Sequence, residues 1–352
     1  MKILRVLPSM DFAGIERGVY DFSLEADRMG HHVIVVSGYG RFIPLLKQKG
    51  IDWHDLSMDN KNIKIFAHAK KELRKIIDKE KPDIIHSESR FPCWIMSSVI
   101  KQFPGIGWVT SIHSFCHLRF WTKSLGFGQR IIVVSNAIKE YAIKYLKVPE
   151  EKLRLVYNGV SKNDFFDIKK EINETPVIGM IARFSKTKGH FYYMKAMKKL
   201  LEEGEKVKGI LVGTGSEKYK KRIHACIVRN KMENSIEILS MDSRQALKKM
   251  DVLSVPSFEP EGFGRVVVEA QMAGVPVVAS NIGAIPELIE NKRTGFLVEP
   301  RDSLQMVEAI KYILLHPRET GKITENAQKI SLEKFTVEKM TEETLKVYQE
   351  LI

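Results

Sequence analysis

Residues 176–213, PVIGMIARFSKTKGHFYYMKAMKKLLEEGEKVKGILVG, place a longer amphipathic segment between two short apolar ones. The apolar segments at 176–182 and 208–213 have the length and the aliphatic composition of buried strands. The spacing of apolar residues over 187–203 indicates a helix between them. A strand, a helix and a second strand in this order are typical of a doubly wound parallel sheet.

The same alternation continues in both directions along the chain. Further strands are predicted at 2–7, 31–37, 83–87, 108–112, 130–135, 235–239, 251–256, 275–280 and 295–300. Further helices are predicted at 15–29, 63–80, 92–102, 136–146, 216–230, 243–250, 264–273, 284–290 and 302–316. We therefore expect an α/β protein with two Rossmann-like, doubly wound parallel-sheet domains that face a central cleft.

A polar, charged segment at 161–176, SKNDFFDIKKEINETP, interrupts the alternation. It separates a predicted N-terminal domain at 1–168 from a predicted C-terminal domain at 169–336, each long enough to bury its own core. The last residues, 337–352, have the apolar spacing of an amphipathic helix. That helix can cap either domain, including by packing back onto the N-terminal one.

Composition narrows the class of protein. The chain has 352 residues, of which 44% are hydrophobic, as is typical of globular proteins. Three cysteines without metal or disulfide spacing, and no apolar run of the roughly 18 residues that span a membrane, predict a cytoplasmic protein. The formal charge of +13 favours anionic partners such as phosphates, nucleic acid or acidic lipid.

Two cations follow the strand at 176–182, in the kind of loop where open parallel sheets bind ligands. Arg183 leaves the end of the strand, and Lys188 stands at the start of the next helix. Their positions across a turn suit the two phosphates of a diphosphate, with each charge-assisted contact contributing about 1.5–3 kcal/mol. The alternative is a solvated, lysine-rich turn without a ligand.

Two carboxylates, Glu261 and Glu269, flank the segment GFGRVVV. Gly262 and Gly264 leave the backbone open where a helix begins, and a helix N-terminus attracts an anion. Carboxylates repel phosphate and accept hydrogen bonds, so these two are expected to meet hydroxyl groups. Cations for a diphosphate beside acids for hydroxyls indicate a sugar nucleotide. Alternatively, Glu261 is an exposed acid at a helix start and Glu269 pairs with Arg265 at i, i+4.

Five segments carry a resemblance to one enzyme family. The whole chain resembles the retaining glycosyltransferases of family 4, including those of lipopolysaccharide-core and other glycan synthesis, which have the B-type fold of two Rossmann-like domains. The segments are VYNGV at 156–160, ARFSKTKG at 182–189, VGTGSE at 212–217, EGFGRVVVE at 261–269, which is the family's E-x7-E, and AGVPVVASNIGAIPELI at 273–289.

The resemblance implies roles for particular residues. It places the donor phosphates at the N-terminal glycine loop with Gly14, the diphosphate at Arg183 and Lys188, the donor sugar at Glu261 and the ribose at Glu269. The early loop reads FAGIER here, with one glycine where the family often has a pair. The implied donor site also includes Gly213, Gly262, Phe263 and Gly264.

A histidine after the fifth strand, His113 in SIHSF, matches the family's sugar-facing histidine. Ser114 follows it, where an acidic residue is common in the family. The resemblance makes His113 a catalytic candidate together with Glu261, Arg183 and Lys188. Glu261 is assigned to positioning rather than attack, because no acid and nucleophile pair of carboxylates is evident. Alternatively, His113 is a hydrogen-bonded residue at a strand end.

The predicted reaction uses neither a metal nor an organic cofactor. The sequence has no D-x-D motif and no dense His, Cys and Asp cluster. Lys218 also breaks the G-x-G-x-x-G pattern of NAD sites that begins at Gly213, so the segment there is expected to form a tight turn. We expect Arg183, Lys188 and a helix N-terminus to stabilise the departing diphosphate.

The expected activity is therefore that of a retaining, metal-independent transferase. It would move a hexose from a nucleotide-diphosphate sugar, such as a UDP-sugar, to a glycan or glycolipid acceptor in lipopolysaccharide or cell-envelope glycan synthesis. The acceptor is expected on the N-terminal domain, where residues 89–139 contain six Lys or Arg and no acid. The aromatic residues among them suit an anionic membrane surface on the cytoplasmic side, although such residues are more often core.

Two other functions stay open on the sequence alone. A sugar-nucleotide 2-epimerase of the same fold would release nucleotide and modified sugar without an acceptor. A basic, non-catalytic nucleic-acid-binding protein would fit the charge of +13. Against it, the charge is spread through both domains and no binding module is recognisable, so no specific nucleic acid is expected.

Overall fold

The computed structural model of the protein describes residues 1–11, 14–58, 63–166 and 168–352. The chain divides into two compact units. The first consists of Met1–Gly159 and Thr336–Ile352, and the second of Val160–Phe335. The chain thus changes unit after Gly159, whereas the sequence places the division at 168/169, and the C-terminal helix belongs with the first unit.

The chain passes from the first unit to the second at 159/160 and returns at 335/336, and the backbone segments at these two positions contact each other. The amide of Val160 donates a 2.8 Å hydrogen bond to the carbonyl oxygen of Phe335. A Cβ at Gly159 would lie 2.5 Å from the carbonyl oxygen of Thr336, so only glycine fits there. This close backbone contact explains why the unit ends at Gly159 and not at the predicted division at 168/169.

Parallel strands make up the sheet of the first unit. They are β1 Lys2–Ser9, β2 His32–Gly38, β3 Asp52–Asp55, β4 Ile84–Glu88, β5 Gly107–Ile112, β6 Arg130–Val133 and β7 Leu153–Leu155. Within the described residues they form one seven-stranded sheet in the order β3-β2-β1-β4-β5-β6-β7. The accompanying helices are α1 Gly14–Arg28, α2 Ile43–Gln48, α3 Ile63–Glu80, α4 Arg90–Ser97 and α5 Asn136–Tyr141, with a further helix at Val337–Gln349.

Helices cover both faces of this sheet. Alternate residues of a strand point to opposite faces, so Ile3 packs with Phe22 of α1 and Tyr348 of the C-terminal helix. Its neighbour Leu4 packs in a different cluster, with Leu73 of α3. Burial on both faces explains why the central strands are nearly continuous apolar runs.

The second unit repeats this architecture. Its strands are β8 Val177–Ile181, β9 Lys208–Val212, β10 Ile236–Leu239, β11 Val252–Val255, β12 Val277–Ser280 and β13 Phe296–Val298. Their order in the described sheet is β10-β9-β8-β11-β12-β13. The helices are α6 Lys162–Phe165, α7 His190–Glu202, α8 Glu217–Arg229, α9 Ser243–Lys248, α10 Arg265–Met272, α11 Ile285–Leu288, α12 Ser303–Leu315 and α13 Pro317–Lys334, and the C-terminal helix of the first unit is α14. No helix in the described ranges is long and apolar enough to cross a bilayer.

Each sheet has a point at which the direction of strand addition reverses. In the first unit β2 and β4 flank β1, and in the second unit β9 and β11 flank β8. The loops at the carboxyl ends of strands around such a point bind ligands in open parallel sheets. In the first unit the loops after β1 and β4 lie at this point, and in the second unit the loops after β8 and β11 do.

The predicted fold class is confirmed, and every predicted strand is present. The sequence does not predict β3, β7, α2 or α13: β3 is polar, β7 has three residues, and α13 has few apolar positions. Two predicted helices change type before their predicted ends. The helix at 92–102 stops at Ser97 and gives way to a 3-10 turn, and the helix at 136–146 continues beyond Tyr141 as a π-helical turn.

Candidate active site

The loop after β8 carries the two cations singled out in the sequence. Arg183 is exposed and makes no hydrogen bond or ion pair with the described residues of its own unit. Lys188 ends a short 3-10 turn and is followed by Gly189, whose φ of +80° favours glycine. A Cβ at Gly189 would lie 1.8 Å from the carbonyl oxygen of Pro256. This contact brings Lys188 close to the loop after β11.

Lys188 pairs there with Glu261, the first acid of the E-x7-E motif. Its Nζ lies 2.6 Å from Oε1 and 2.7 Å from Oε2 of Glu261. Ser257 also donates a 2.5 Å hydrogen bond to Oε1. The side chains of Lys188 and Glu261 are 28% and 15% exposed, so a ligand can reach both. The structure thus brings one predicted diphosphate cation together with the predicted sugar-binding acid.

The backbone of Glu261 is fixed from the other side by the loop after β12. A Cβ at Gly283 would lie 2.5 Å from the carbonyl oxygen of Glu261. The amide of Ala284 donates a 3.0 Å hydrogen bond to the same oxygen. The motif segment AGVPVVASNIGAIPELI therefore acts locally by holding the turn that carries this acid.

The rest of that turn leads into α10. Gly262 is buried, and Gly264 precedes the helix with a φ of +104°. Phe263 is only 4% exposed, and its ring packs edge-to-face on Phe335 with centroids 5.8 Å apart. A ligand would therefore meet the backbone of Phe263 rather than its ring.

Glu269 lies on the second turn of α10. Its Oε1 is 3.8 Å from Nε of Arg265, and both side chains are largely buried. The i, i+4 pairing considered for these residues is thus present. A hydroxyl ligand of Glu269 would share the carboxylate with Arg265.

The segment VGTGSE after β9 forms the tight turn expected of it. A Cβ at Gly213 would lie 2.1 Å from the carbonyl oxygen of Ala182. Phe184 bridges Gly215 and donates a 2.7 Å backbone hydrogen bond to Thr214. The turn therefore braces the loop that carries Arg183.

In the first unit, Gly14 is the first residue of α1. The two residues before it, Phe12 and Ala13, lie outside the described residues. Glu16, in the first turn of α1, was not singled out in the sequence. Burial raises the pKa of its carboxyl, with a smaller contribution from Glu88, while the charge of His113 lowers it.

His113 follows β5 and is anchored by an acid that the sequence did not reveal. Its Nε2 lies 2.6 Å from Oε2 of Glu88, the last residue of β4. The other oxygen of Glu88 accepts a very short hydrogen bond from Arg5 on β1. A signal was present, because a charged residue within the apolar strand KILRVL needs a buried partner.

A second layer of polar groups surrounds this ion pair. The hydroxyl of Tyr348 on α14 lies 3.1 Å from Nη1 of Arg5 and 2.6 Å from Nδ1 of His86. Nε2 of His86 lies 2.6 Å from Oγ of Ser111. All four side chains are buried.

The charges of this cluster shift its titrating groups. Burial raises the pKa of Glu88, but the charge of Arg5 and the hydrogen bond with His113 more than offset that effect and hold the pKa well below its ordinary value. Burial, aided by the charge of Arg5, holds the pKa of His86 well below that of a free imidazole. At neutral pH Glu88 is therefore ionised and His86 is neutral.

The basic, aromatic segment at 89–139 is largely folded into the first unit. Phe91 and Trp108 are buried in its core, and Trp94 and Phe103 pack against that core. These four rings thus belong to the core, as the alternative to a membrane surface had it. Four exposed apolar or basic side chains of the segment lie close together in sequence and are called here the 118–127 patch: Leu118, Arg119, Lys123 and Phe127.

The two units present different chemistry. The second offers cations beside a carboxylate, which suits a phosphorylated, hydroxylated ligand. The first offers an imidazole held by a buried carboxylate, which suits contact with a hydroxyl. Within the described ranges, no three His, Cys, Asp or Glu side chains are grouped as a metal site would require.

Comparisons with known protein families match both halves. The model of Glycosyltransferase Family 4 matches residues 12–164, and the model of glycosyl transferases group 1 matches residues 161–330. A glycosyltransferase structure from Rickettsia africae superposes with a TM-score of 0.89 at 26% identity, covering 99% of this chain and 98% of that one.

Two relatives extend these matches. An uncharacterized glycosyltransferase of Methanocaldococcus jannaschii is 29% identical over 62% of this chain, and the chain spans 60% of that relative's length. The UDP-Gal:alpha-D-GlcNAc-diphosphoundecaprenol alpha-1,3-galactosyltransferase of Escherichia coli is 27% identical over 68% of each chain. The chain is therefore a glycosyltransferase of the B-type fold, with an N-terminal half that belongs to Glycosyltransferase Family 4 and a C-terminal half that belongs to glycosyl transferases group 1.

Proposed function

We propose that the protein is a retaining, metal-independent hexosyltransferase that transfers a hexose from a UDP-sugar to a glycolipid or glycan of the cell envelope, such as lipopolysaccharide. The observation that carries this proposal is the contact between Lys188 and Glu261. It puts a cation for the donor diphosphate next to an acceptor of hydrogen bonds for the attached sugar.

The donor diphosphate is assigned to Arg183 and Lys188. Arg183 is exposed, and Lys188 would exchange the carboxylate of Glu261 for phosphate oxygens when the donor binds. Both cations would then face the negative charge that develops on the leaving diphosphate. Stabilising that charge with preorganised groups is the main way in which such a site accelerates reaction without a metal.

The sugar and the ribose are assigned to the two acids of the E-x7-E motif. Glu261 would accept hydrogen bonds from hydroxyls of the hexose, and Glu269 from the ribose. In the reaction the bond between the anomeric carbon and the diphosphate oxygen breaks, and the acceptor oxygen bonds to that carbon on the same face. The acceptor's proton passes to the departing phosphate, so neither glutamate needs to act as nucleophile.

The acceptor is assigned to the first unit, where His113 would contact a hydroxyl of the bound sugar. The proposal of a glycolipid acceptor and a UDP donor is supported by the E. coli relative, whose name gives a UDP-sugar donor and a diphosphoundecaprenol-linked acceptor. The 118–127 patch would bring the protein to the cytoplasmic face of a membrane, since Lys and Arg near anionic lipid contribute about 1 kcal/mol each.

The test is a transfer assay with purified protein, a panel of UDP-, GDP- and ADP-hexoses and a diphosphoundecaprenol-linked N-acetylhexosamine acceptor. We expect UDP-hexose to be used in the presence of EDTA, and an α-linked donor to give an α-linked product. An inverted linkage would contradict retention, and loss of turnover in EDTA would contradict metal independence. Release of a modified sugar without acceptor would indicate an epimerase instead.

A further inference from the structure

We infer that Glu88 is a positioning residue for His113, and that Arg5 and Tyr348 hold Glu88 in place for that task. The inference rests on the proposed function, in which His113 contacts the bound sugar. None of the three residues lies in a segment that carries the family resemblance. They come from β4, β1 and α14, which the fold brings together under the loop after β5.

Glu88 is the centre of the arrangement. Its side chain is 1% exposed, and its two oxygens have different partners, Nε2 of His113 and the guanidinium of Arg5. A buried carboxylate is tolerated only when charge and hydrogen-bond partners compensate it. The carboxylate cannot turn without losing one of these partners, so its orientation is fixed.

This fixed carboxylate determines which nitrogen of His113 carries hydrogen. Because an ionised carboxylate only accepts hydrogen bonds, the hydrogen of the neutral ring sits on Nε2 and the lone pair on Nδ1. Nδ1 has no hydrogen-bond partner among the described residues of the first unit. It is therefore the atom that a substrate hydroxyl would meet, in the manner of other carboxylate–histidine pairs.

Arg5 is itself held from the C-terminal helix. Its Nη1 donates a 3.1 Å hydrogen bond to the hydroxyl of Tyr348, and its guanidinium lies 4.5 Å from the centre of the Phe22 ring. Since Arg5 can only donate, the hydroxyl of Tyr348 keeps its own hydrogen for another acceptor. That acceptor is Nδ1 of His86, 2.6 Å away.

The chain of hydrogen bonds then has one direction. Accepting at Nδ1 leaves the hydrogen of neutral His86 on Nε2, from which it is donated to Oγ of Ser111 at 2.6 Å. A neutral His86 agrees with its lowered pKa, which burial causes. The last helix of the chain thus takes part in fixing the hydrogen arrangement around Glu88.

A purely structural role for the cluster does not explain why a charged residue, Arg5, stands within the apolar strand β1. Replacing buried ion pairs by apolar residues is often neutral or stabilising, so stability alone does not account for a charge within β1. A cavity of about 30 Å³ lies beside Glu88, His113, Ser111 and Asn158. It has room for about one water molecule, so a sugar must reach His113 from its exposed side and leaves Glu88 in place.

The first experiment reads the tautomer of His113 directly, by long-range ¹H–¹⁵N correlation of ring-labelled protein. We expect hydrogen on Nε2 in the wild type. In Glu88→Gln the amide has one acceptor oxygen for two donors, so we expect the His113 signals to move toward the other tautomer or to a mixture. Glu350→Gln is the control, since Glu350 directly follows α14 but pairs with Arg130 and Arg154 outside the cluster.

The second experiment separates turnover from donor binding. For Glu88→Gln we expect kcat to fall by about 10- to 100-fold, the usual effect of removing the partner that orients a functional histidine. The Kd for UDP should stay within about twofold, because Arg183, Lys188 and Glu269, to which the diphosphate and the ribose are assigned, lie in the other unit. Tyr348→Phe, which keeps the ring and removes the hydroxyl, should lower kcat by about 3- to 10-fold, and Glu350→Gln should match the wild type.

The outcomes separate this inference from the proposed function. Absence of transfer in the wild type with every donor contradicts the proposed function, while the tautomer still reports on Glu88. Full turnover by His113→Ala would show that His113 is not needed for transfer. That result overturns the inference but leaves the transferase function intact. If His113→Ala is inactive while Glu88→Gln keeps the wild-type kcat and tautomer, positioning by Glu88 is overturned. If Glu88→Gln does not fold, two other results would overturn positioning by Glu88. One is hydrogen on Nδ1 of His113 in the wild type, and the other is an unchanged kcat in Tyr348→Phe.

Discussion

The ammonium of Lys188 lies within 2.7 Å of both carboxylate oxygens of Glu261. Under the proposed function, a donor diphosphate competes with this carboxylate for Lys188, and donor binding replaces one ion pair by another. After the exchange Glu261 keeps the hydrogen bond from Ser257 to Oε1. The positions that Lys188 occupied on its oxygens can then accept hydrogen bonds from sugar hydroxyls. The empty and occupied sites thus use the same charges in two pairings.

Glu261→Gln tests this competition. Without the carboxylate, Lys188 is no longer paired, so we expect UDP to bind as tightly as in the wild type or more tightly. Turnover should fall by at least about 100-fold, because an interaction with the transferred sugar is lost. The measurement is kcat together with the Kd for UDP from calorimetry. Weaker UDP binding at unchanged kcat would contradict the assignment.

Gly189→Ala tests the close approach that positions Lys188. The backbone has a φ of +80° and the new Cβ would meet the carbonyl oxygen of Pro256 at 1.8 Å. We expect a loss of about 3 kcal/mol or more in the free energy of unfolding, measured by urea denaturation.

The matched control for that variant is Gly204→Ala. Gly204 has a nearly identical φ of +84°, but nothing lies within 4 Å of the added Cβ. It should cost only about 1 kcal/mol, the penalty for a left-handed residue. Equal losses in the two variants would show that the contact with Pro256 has no effect on stability.

His190, the first residue of α7, predicts a pH dependence of stability. Burial lowers its pKa from 6.5 to about 4, and the charge of Lys188 adds to this effect. The unfolded chain therefore binds a proton below pH 6.5 that the folded chain does not bind until about pH 4. The free energy of unfolding should fall between these values by up to about 3 kcal/mol.

The variant that checks this linkage is His190→Phe. Phenylalanine keeps a ring against Phe184, 5.1 Å away between centroids, and does not titrate. Urea denaturation at pH 7 and pH 4.5 should show a smaller pH difference in the variant than in the wild type. The same pH difference in both proteins would refute the role of His190.

The 118–127 patch predicts binding to anionic membranes. Arg119→Glu with Lys123→Glu should abolish cosedimentation with vesicles that contain anionic lipid, because two attractive charges become repulsive. Lys218→Glu with Lys221→Glu, which changes two exposed lysines of the second unit by the same charge, should bind like the wild type. Vesicle binding that is insensitive to the first pair would contradict a membrane role for the patch.

The sequence predicts the sheets because strands covered on both faces are apolar throughout. It places Lys188 beside the turn of Glu261 because both lie in short motifs at strand ends, but it does not predict their ion pair. It does not predict α13, where burial of a few residues suffices. It also leaves Phe91 open between core and surface, because spacing alone does not tell a core ring from a surface ring, whereas Trp108 lies in a strand predicted to be buried.

Glu88 shows the clearest limit. Its partners Arg5 and His113 lie 83 and 25 positions away in the chain, and Tyr348, which contacts Arg5, lies 343 positions from Arg5. No spacing rule connects these residues. The unusual charge in β1 indicates that a buried partner exists, but the sheet order β1-β4-β5 is needed to identify it. Local motifs therefore indicate the proposed donor site, whereas the contacts that support His113 depend on tertiary structure.

The most direct test of the central claim compares the binding of UDP and uridine to the wild type, Arg183→Ala, Lys188→Ala and the control Lys186→Ala. If Arg183 and Lys188 hold the diphosphate, each of their variants should bind UDP at least about 10-fold more weakly, while uridine binding and the control stay unchanged. Equal UDP affinity in all four proteins would contradict the account.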